Sequence, residues 1–171
     1  MAVRPVSESK LLVGLQNMQT FWLKLEGDVR VPWCVSLETY CETVIQQPGV
    51  SSVCVDLREA ENLDSTTLGV LAKVAIQTQK HCDSKARLLC TDENIMRLVL
   101  SMGFANVFAI CNSDAEYPDL ENIIYDELPL VECTEEDMKQ SVIAAHKTLM
   151  EMTEENRASF SSLVSALEAD R

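Results

Sequence analysis

Four consecutive residues, Asp64-Ser65-Thr66-Thr67, place one carboxylate directly ahead of three hydroxyls. A carboxylate in that position has the chemistry of a helix N-cap, because it can accept from the free backbone N–H groups of the turn that follows. The apolar run that begins at Leu68 supplies a helix for it to open. The Ser65 hydroxyl would then stand exposed in the first turn, where the positive end of the helix dipole tolerates an anion. Reversible phosphorylation is the chemistry this arrangement suggests, and an unmodified residue beside an ordinary cap is the plain alternative. A phosphate would bring about −1.5 to −2 charges and three acceptor oxygens. Glu59 and Glu61 lie just upstream of Asp64, so the local surface is already acidic. A partner packed on the unmodified helix start would have to bury uncompensated charge, at several kcal/mol. The modified protein itself would stay folded, since the dipole favours the anion.

Catalysis has less to rest on. No Ser-His-Asp or Cys-His arrangement is evident along the chain, and no glycine loop of the phosphate-binding kind appears. The two histidines, His81 and His146, are far from Asp64 in sequence. Neither has cysteines or carboxylates at ligand spacing, so no metal or other cofactor is expected.

The elements that must hold this segment are legible from periodicity. Phe21, Trp22, Leu23 and Leu25 read as a strand from Gln19 to Glu26, followed by a turn at Gly27-Asp28. Strand alternation would turn Phe21 and Trp22 to opposite faces, leaving one of them available to a partner. Pro32 suits the opening of a helix whose stripe is Val35, Leu37, Tyr40, Cys41, Val44 and Ile45, stopped by Pro48-Gly49. A strand at Ser52–Leu57 leads through the acidic loop into a helix from Ser65 to about His81. Leu68 and Leu71 are expected in the core, with Gly69 allowing close approach of helix to sheet. Ala86–Cys90 is a second buried strand, Thr91 or Asp92 can cap a helix ending near Met102-Gly103, and Phe104–Ile110 contains a last strand. Strands alternating with helices predict an α/β fold, a mixed sheet with helical crossovers.

Composition and charge bound the rest. The 171 residues are 47% hydrophobic, enough for a core, and mean hydropathy is near zero at +0.01. No apolar run approaches a membrane span, and the first ten residues lack the run of a secretory signal, so a cytoplasmic location is expected. The seven cysteines contain no C-x-x-C pair and are read as reduced, with Cys54 and Cys90 as small buried hydrophobes. Residues 1–112 carry 12 acidic against 10 basic side chains, whereas residues 113–171 carry 15 against 4. That balance disfavours nucleic acid, and it leaves the acidic tail as a solvated surface or a dock for a basic partner. Residues 113–133 have the look of an acidic linker or draped loop. Residues 134–171 form a helical C-terminal extension, with Thr134-Glu135-Glu136-Asp137 as a cap and acidic first turn, and Thr153 as a break or second cap.

The run NLDSTTLGVLAK, set between a strand and a helix, resembles the STAS domain of bacterial anti-sigma-factor antagonists, whose pattern is D-S-[ST]-G-L-G-V-L at a helix start. The likeness spans about residues 10–112, including Arg87–Cys90 and the Gly103-Phe104 ending. It implies a STAS-like fold and control by partner switching. By this resemblance Ser65 is the phosphoacceptor, Asp64 positions it, and Arg58, Glu59, Glu61, Thr66 and Thr67 belong to the partner-binding loop. The implied partners are a serine kinase that doubles as anti-sigma factor and a metal-dependent serine phosphatase. A scaffold acting on a signalling enzyme, such as a cyclic-nucleotide synthase, is the alternative. Thr67 departs from the pattern by standing where glycine is common, which makes Thr66 or Thr67 a conceivable second acceptor.

Overall fold

A computed structural model describes residues 9–113, 115, 117 and 120–170. It is an α/β fold built on a mixed seven-stranded sheet. The strands are β1 (Lys10–Gln16), β2 (Thr20–Val29), β3 (Ser52–Asp56), β4 (Ala60–Leu63), β5 (Ala86–Leu89), β6 (Phe108–Cys111) and β7 (Tyr125–Glu127). The helices are α1 (Val31–Ile45), α2 (Ser65–Cys82), α3 (Glu93–Ser101), α4 (Glu135–Met152) and α5 (Glu154–Ala169). Strand order is β6-β5-β3-β2-β1-β7, with β4 pairing β2 off this path. The β2, β3, β5 and β6 pairings are parallel, as helical crossovers require, while β1 runs antiparallel to both β2 and β7.

Three strands lie outside the expected set. β1 is joined to β2 through Asn17, Met18 and Gln19, of which the first two hold positive φ, 53° and 60°. A tight hairpin turn of that hand favours Asn-Gly; methionine in the second position removes the usual signal. Gly27-Asp28 does not end β2. Gly27 takes φ 76° at an irregularity in register, and the strand continues to Val29, where its far end pairs β4 instead of β3. Asn106, expected as the first residue of the last strand, instead closes a 3-10 turn over Phe104–Asn106, and the strand begins at Phe108.

The two sides of β2 are both covered. Phe21, Leu23 and Leu25 join the main core with Leu37, Leu68, Leu71 and Leu149. Trp22 faces the other side, yet both Phe21 and Trp22 are 2% exposed. The acidic segment after Cys111 explains this. Its Tyr117, Leu120, Ile123 and Tyr125 close over Trp22 and Cys54, with the Trp22 and Tyr117 rings edge-on at 5.6 Å. The segment is thus draped rather than free, and it ends by donating Leu128 N–H to the Leu11 carbonyl and Val131 N–H to the Ser36 hydroxyl.

The C-terminal helices start where their caps require. Thr134 and Asp137 form a reciprocal capping box at α4, and Thr153 caps α5 through the Asn156 amide. The bonds from Thr134 hold the Asp137 carboxyl below the ordinary carboxylate range. Ala145 and Leu149 of α4 belong to the main core, so the helical extension is packed against the sheet domain. Among the described residues no helix is long and apolar enough to cross a membrane.

Five of the seven cysteines, Cys34, Cys41, Cys54, Cys90 and Cys111, are buried, and Cys82 and Cys133 are half-buried. Burial pushes the Cys34 and Cys41 thiols up to about 12 and raises those of Cys54, Cys82 and Cys90. At pH 8 the thiols of Cys34, Cys41, Cys54 and Cys90 are therefore protonated and shielded. A thiol-colouring reagent is expected to react promptly with no more than Cys82 and Cys133, and with all seven after denaturation. Prompt reaction of the buried five would contradict this packing.

Candidate functional site

The site is assembled at the point where β4 turns into α2. Asp64 is the N-cap in extended conformation, φ −82° and ψ 169°. Its Oδ1 accepts from the Thr67 amide at 2.8 Å and from the Thr67 hydroxyl at 2.7 Å. Its Oδ2 accepts from the Val31 amide at 3.0 Å, one of the free donors at the start of α1. Arg30, the residue ahead of α1, makes no side-chain cap of its own. One carboxylate thereby serves the N-termini of two helices and fixes them relative to each other.

The three hydroxyls after Asp64 have separate fates. Thr67 is fully buried, its hydroxyl also within 3.1 Å of the Val29 carbonyl and 3.4 Å of the Cys34 sulfur. Where the resembling pattern has glycine, this chain uses the threonine hydroxyl to tie α2 to the end of β2. Thr66 is 3% exposed. Neither threonine hydroxyl is presented to a modifying enzyme in this conformation. Ser65 alone is half-buried rather than fully covered.

Upstream, Asp56 is completely buried at the end of β3 and is gripped by Arg58. Asp56 Oδ1 accepts from the Arg58 amide at 3.0 Å and from Nε at 3.1 Å, while Oδ2 accepts from a terminal guanidinium nitrogen at 2.9 Å. Such a fork on a carboxylate is a strong, geometrically defined pair. Arg58 therefore shapes the loop, while Glu59 and Glu61 stand exposed on it. With Asp92 and Asn94 from the start of α3, these residues border an open polar depression of about 510 Å³.

The residue that sequence reasoning missed is His146. It lies 81 positions from Ser65, and its Nε2 is 2.7 Å from the Ser65 hydroxyl oxygen. Its Nδ1 is 2.7 Å from the Val142 carbonyl one turn back on α4. A carbonyl only accepts, so Nδ1 carries the proton in the neutral ring and Nε2 is the acceptor; Ser65 donates. The ring is 1% exposed and packs edge-on to Phe160 of α5 at 4.9 Å. The Ser65 hydroxyl is thus engaged, not free as the sequence suggests, and a histidine set aside for its distance along the chain is its partner. A signal was present: His146 falls four after Val142 and three before Leu149, on the apolar stripe of α4.

Close approach of α4 to α2 makes this contact. A Cβ on Gly69 would lie 2.3 Å from the Ala145 carbonyl oxygen and 2.7 Å from the Ala145 Cβ. The glycine serves helix against helix, not helix against sheet. At the other end of the hairpin, Gly103 (φ 84°) leaves room for the Thr153 methyl, 2.6 Å from where its Cβ would stand. The Asn156 amide bridges the Met102 and Leu149 carbonyls at 2.9 Å each.

The Ser65–His146 pair has the reach of a nucleophile and its base. The ring of that base is 1% exposed. Among the described residues no group of three histidine, cysteine or acidic side chains could hold a metal ion. Comparison with protein-family models and with curated proteins finds no match.

Proposed function

We propose that this chain is a phosphorylation-controlled protein-binding switch of the STAS type, with Ser65 as its acceptor. One observation carries the reading: of the three hydroxyls that follow the Asp64 cap, only Ser65 is not fully buried. The helix N-terminus behind it favours a phosphate, and Glu59 and Glu61 stand exposed on the segment that leads to it. Unmodified, the helix start binds a kinase-type anti-sigma factor; phosphorylated, it releases that partner, and a metal-dependent serine phosphatase resets it. The chain is the substrate of this chemistry and not its catalyst. Docking of a separate signalling enzyme on the C-terminal helices is the less favoured alternative, because Ala145 and Leu149 make those helices part of the main core.

The test is intact mass and site mapping of the protein isolated from its own cells, with and without phosphatase, followed by binding measurements. The expected result is one phosphate at Ser65 and a fall in affinity for the cognate kinase of at least about 100-fold, equivalent to ~2.8 kcal/mol. Ser65→Ala should bind as the unmodified form does. A Ser65 without phosphate under every growth condition, or equal affinity of both forms, would overturn the reading.

A further inference from the structure

The proton on Ser65 does more than satisfy one hydroxyl. It is donated to His146 Nε2, and that bond joins the acceptor residue to the C-terminal helices. Phosphorylation removes this donor. The Val142 carbonyl keeps the other ring nitrogen protonated, so a neutral His146 would then aim a lone pair at an anionic phosphate. With the phosphate dianionic and Ser65 in its present rotamer, two arrangements resolve that conflict: α4 leaves α2, or Nε2 takes a proton and donates to the phosphate.

The packing favours the second. Removing α4 would expose Leu149 and Ala145, which are 0% and 2% exposed, and would break the bridge from Asn156 to Leu149. Driving α4 off would return a large apolar side chain to water, whereas a proton on Nε2 lets the ring donate to the phosphate, a charge-assisted bond, with α4 in place. Arg58 is held on Asp56 and Arg30 on Asp28. The groups around the ring are Ser65 from α2, Phe160 from α5 and the Val142 carbonyl of its own helix. The neighbouring Asp64 has both carboxylate oxygens engaged by Val31 and Thr67.

We infer that His146 is the in-chain receptor for phosphate on Ser65, accepting from the hydroxyl as neutral imidazole before modification and donating to the phosphate as imidazolium after it. The inference rests on Ser65 being the acceptor proposed above. The proton balance is met in place. As the Oγ–P bond forms and the phosphoanhydride bond of a nucleoside triphosphate breaks, the hydroxyl proton passes to the Nε2 atom to which it is already hydrogen-bonded. The C-terminal helices thereby hold the phosphate on the protein and keep their seat.

The test uses the full chain with genetically encoded phosphoserine at position 65, compared with the unmodified chain by nitrogen-15 NMR of its two histidines. Unmodified, His146 should be protonated on Nδ1 alone. In the phosphorylated chain both ring nitrogens should be protonated at pH 7, with proton affinity raised by at least about tenfold, while the exposed His81 is unchanged. His146→Gln should move the phosphorus-31 titration of the phosphate towards that of free phosphoserine. A neutral His146 beside the phosphate would overturn the inference. So would loss of hydrogen-exchange protection across residues 135–152 in the phosphorylated chain, which would mean that α4 is driven off. Because the phosphate is encoded, these outcomes are independent of whether the cell modifies Ser65, which the site mapping decides.

Discussion

Gly69→Val should destabilise the folded chain by about 3 kcal/mol, at the upper end for an overpacked contact. The clash is with backbone: the added Cβ would meet the Ala145 carbonyl oxygen at 2.3 Å and its carbon at 2.6 Å. Flexible side chains can swing away from an intruding methyl, but a carbonyl in the middle of a helix cannot. The whole of α4 would have to shift, carrying Leu149 out of the core and His146 away from Ser65. For a chain of this size the melting temperature should fall by roughly 6–12 °C. Gly69→Ala should lose less, because alanine regains about 1 kcal/mol of helix propensity over glycine. Ala145→Gly should not rescue either substitution, since it leaves the carbonyl in place. Thermal unfolding of the three single variants and the two pairs checks this, and a stable Gly69→Val protein would mean that α4 does not sit against α2.

Asp64→Ala should cost about 3 kcal/mol, more than an ordinary cap. Loss of an N-cap side chain is typically worth about 1 kcal/mol. Here the same carboxylate also satisfies the Val31 amide at the head of α1 and the buried Thr67 hydroxyl. A buried polar group left without its partner adds about 1–3 kcal/mol. Asp64→Asn, which keeps one amide oxygen, should fall between alanine and wild type. Denaturant titration gives the free energies, and hydrogen exchange locates them: protection should drop in the first turns of both α1 and α2. A loss confined to α2 would show that the bond to Val31 contributes nothing.

These two residues mark the boundary of what was legible. Asp64 and Ser65 were found from the sequence because capping is local chemistry, decided within four residues. The same holds for Asp92, which caps α3, and for the Thr134 capping box. Helices α1 and α2 and strands β3 and β5 followed from periodicity to within a residue or two. β1 was missed because Met18 occupies a left-handed turn position without the glycine that normally announces it. β7 is three residues long within an acidic stretch and exists as a strand only through its pairing with β1.

The sequence by itself determined the α/β character, the cap at Asp64 and the placement of Ser65 at a helix start, since each depends on neighbours along the chain. Only the tertiary structure decided that Trp22 is covered, that Thr67 faces inward, and that Gly69 opens a seat for a second helix. It also decided that His146 accepts from Ser65. The physical reason is range: a hydrogen bond acts over about 3 Å in space and is indifferent to the 81 positions between its partners. Periodicity says which face of α4 is buried; it does not say which element covers that face.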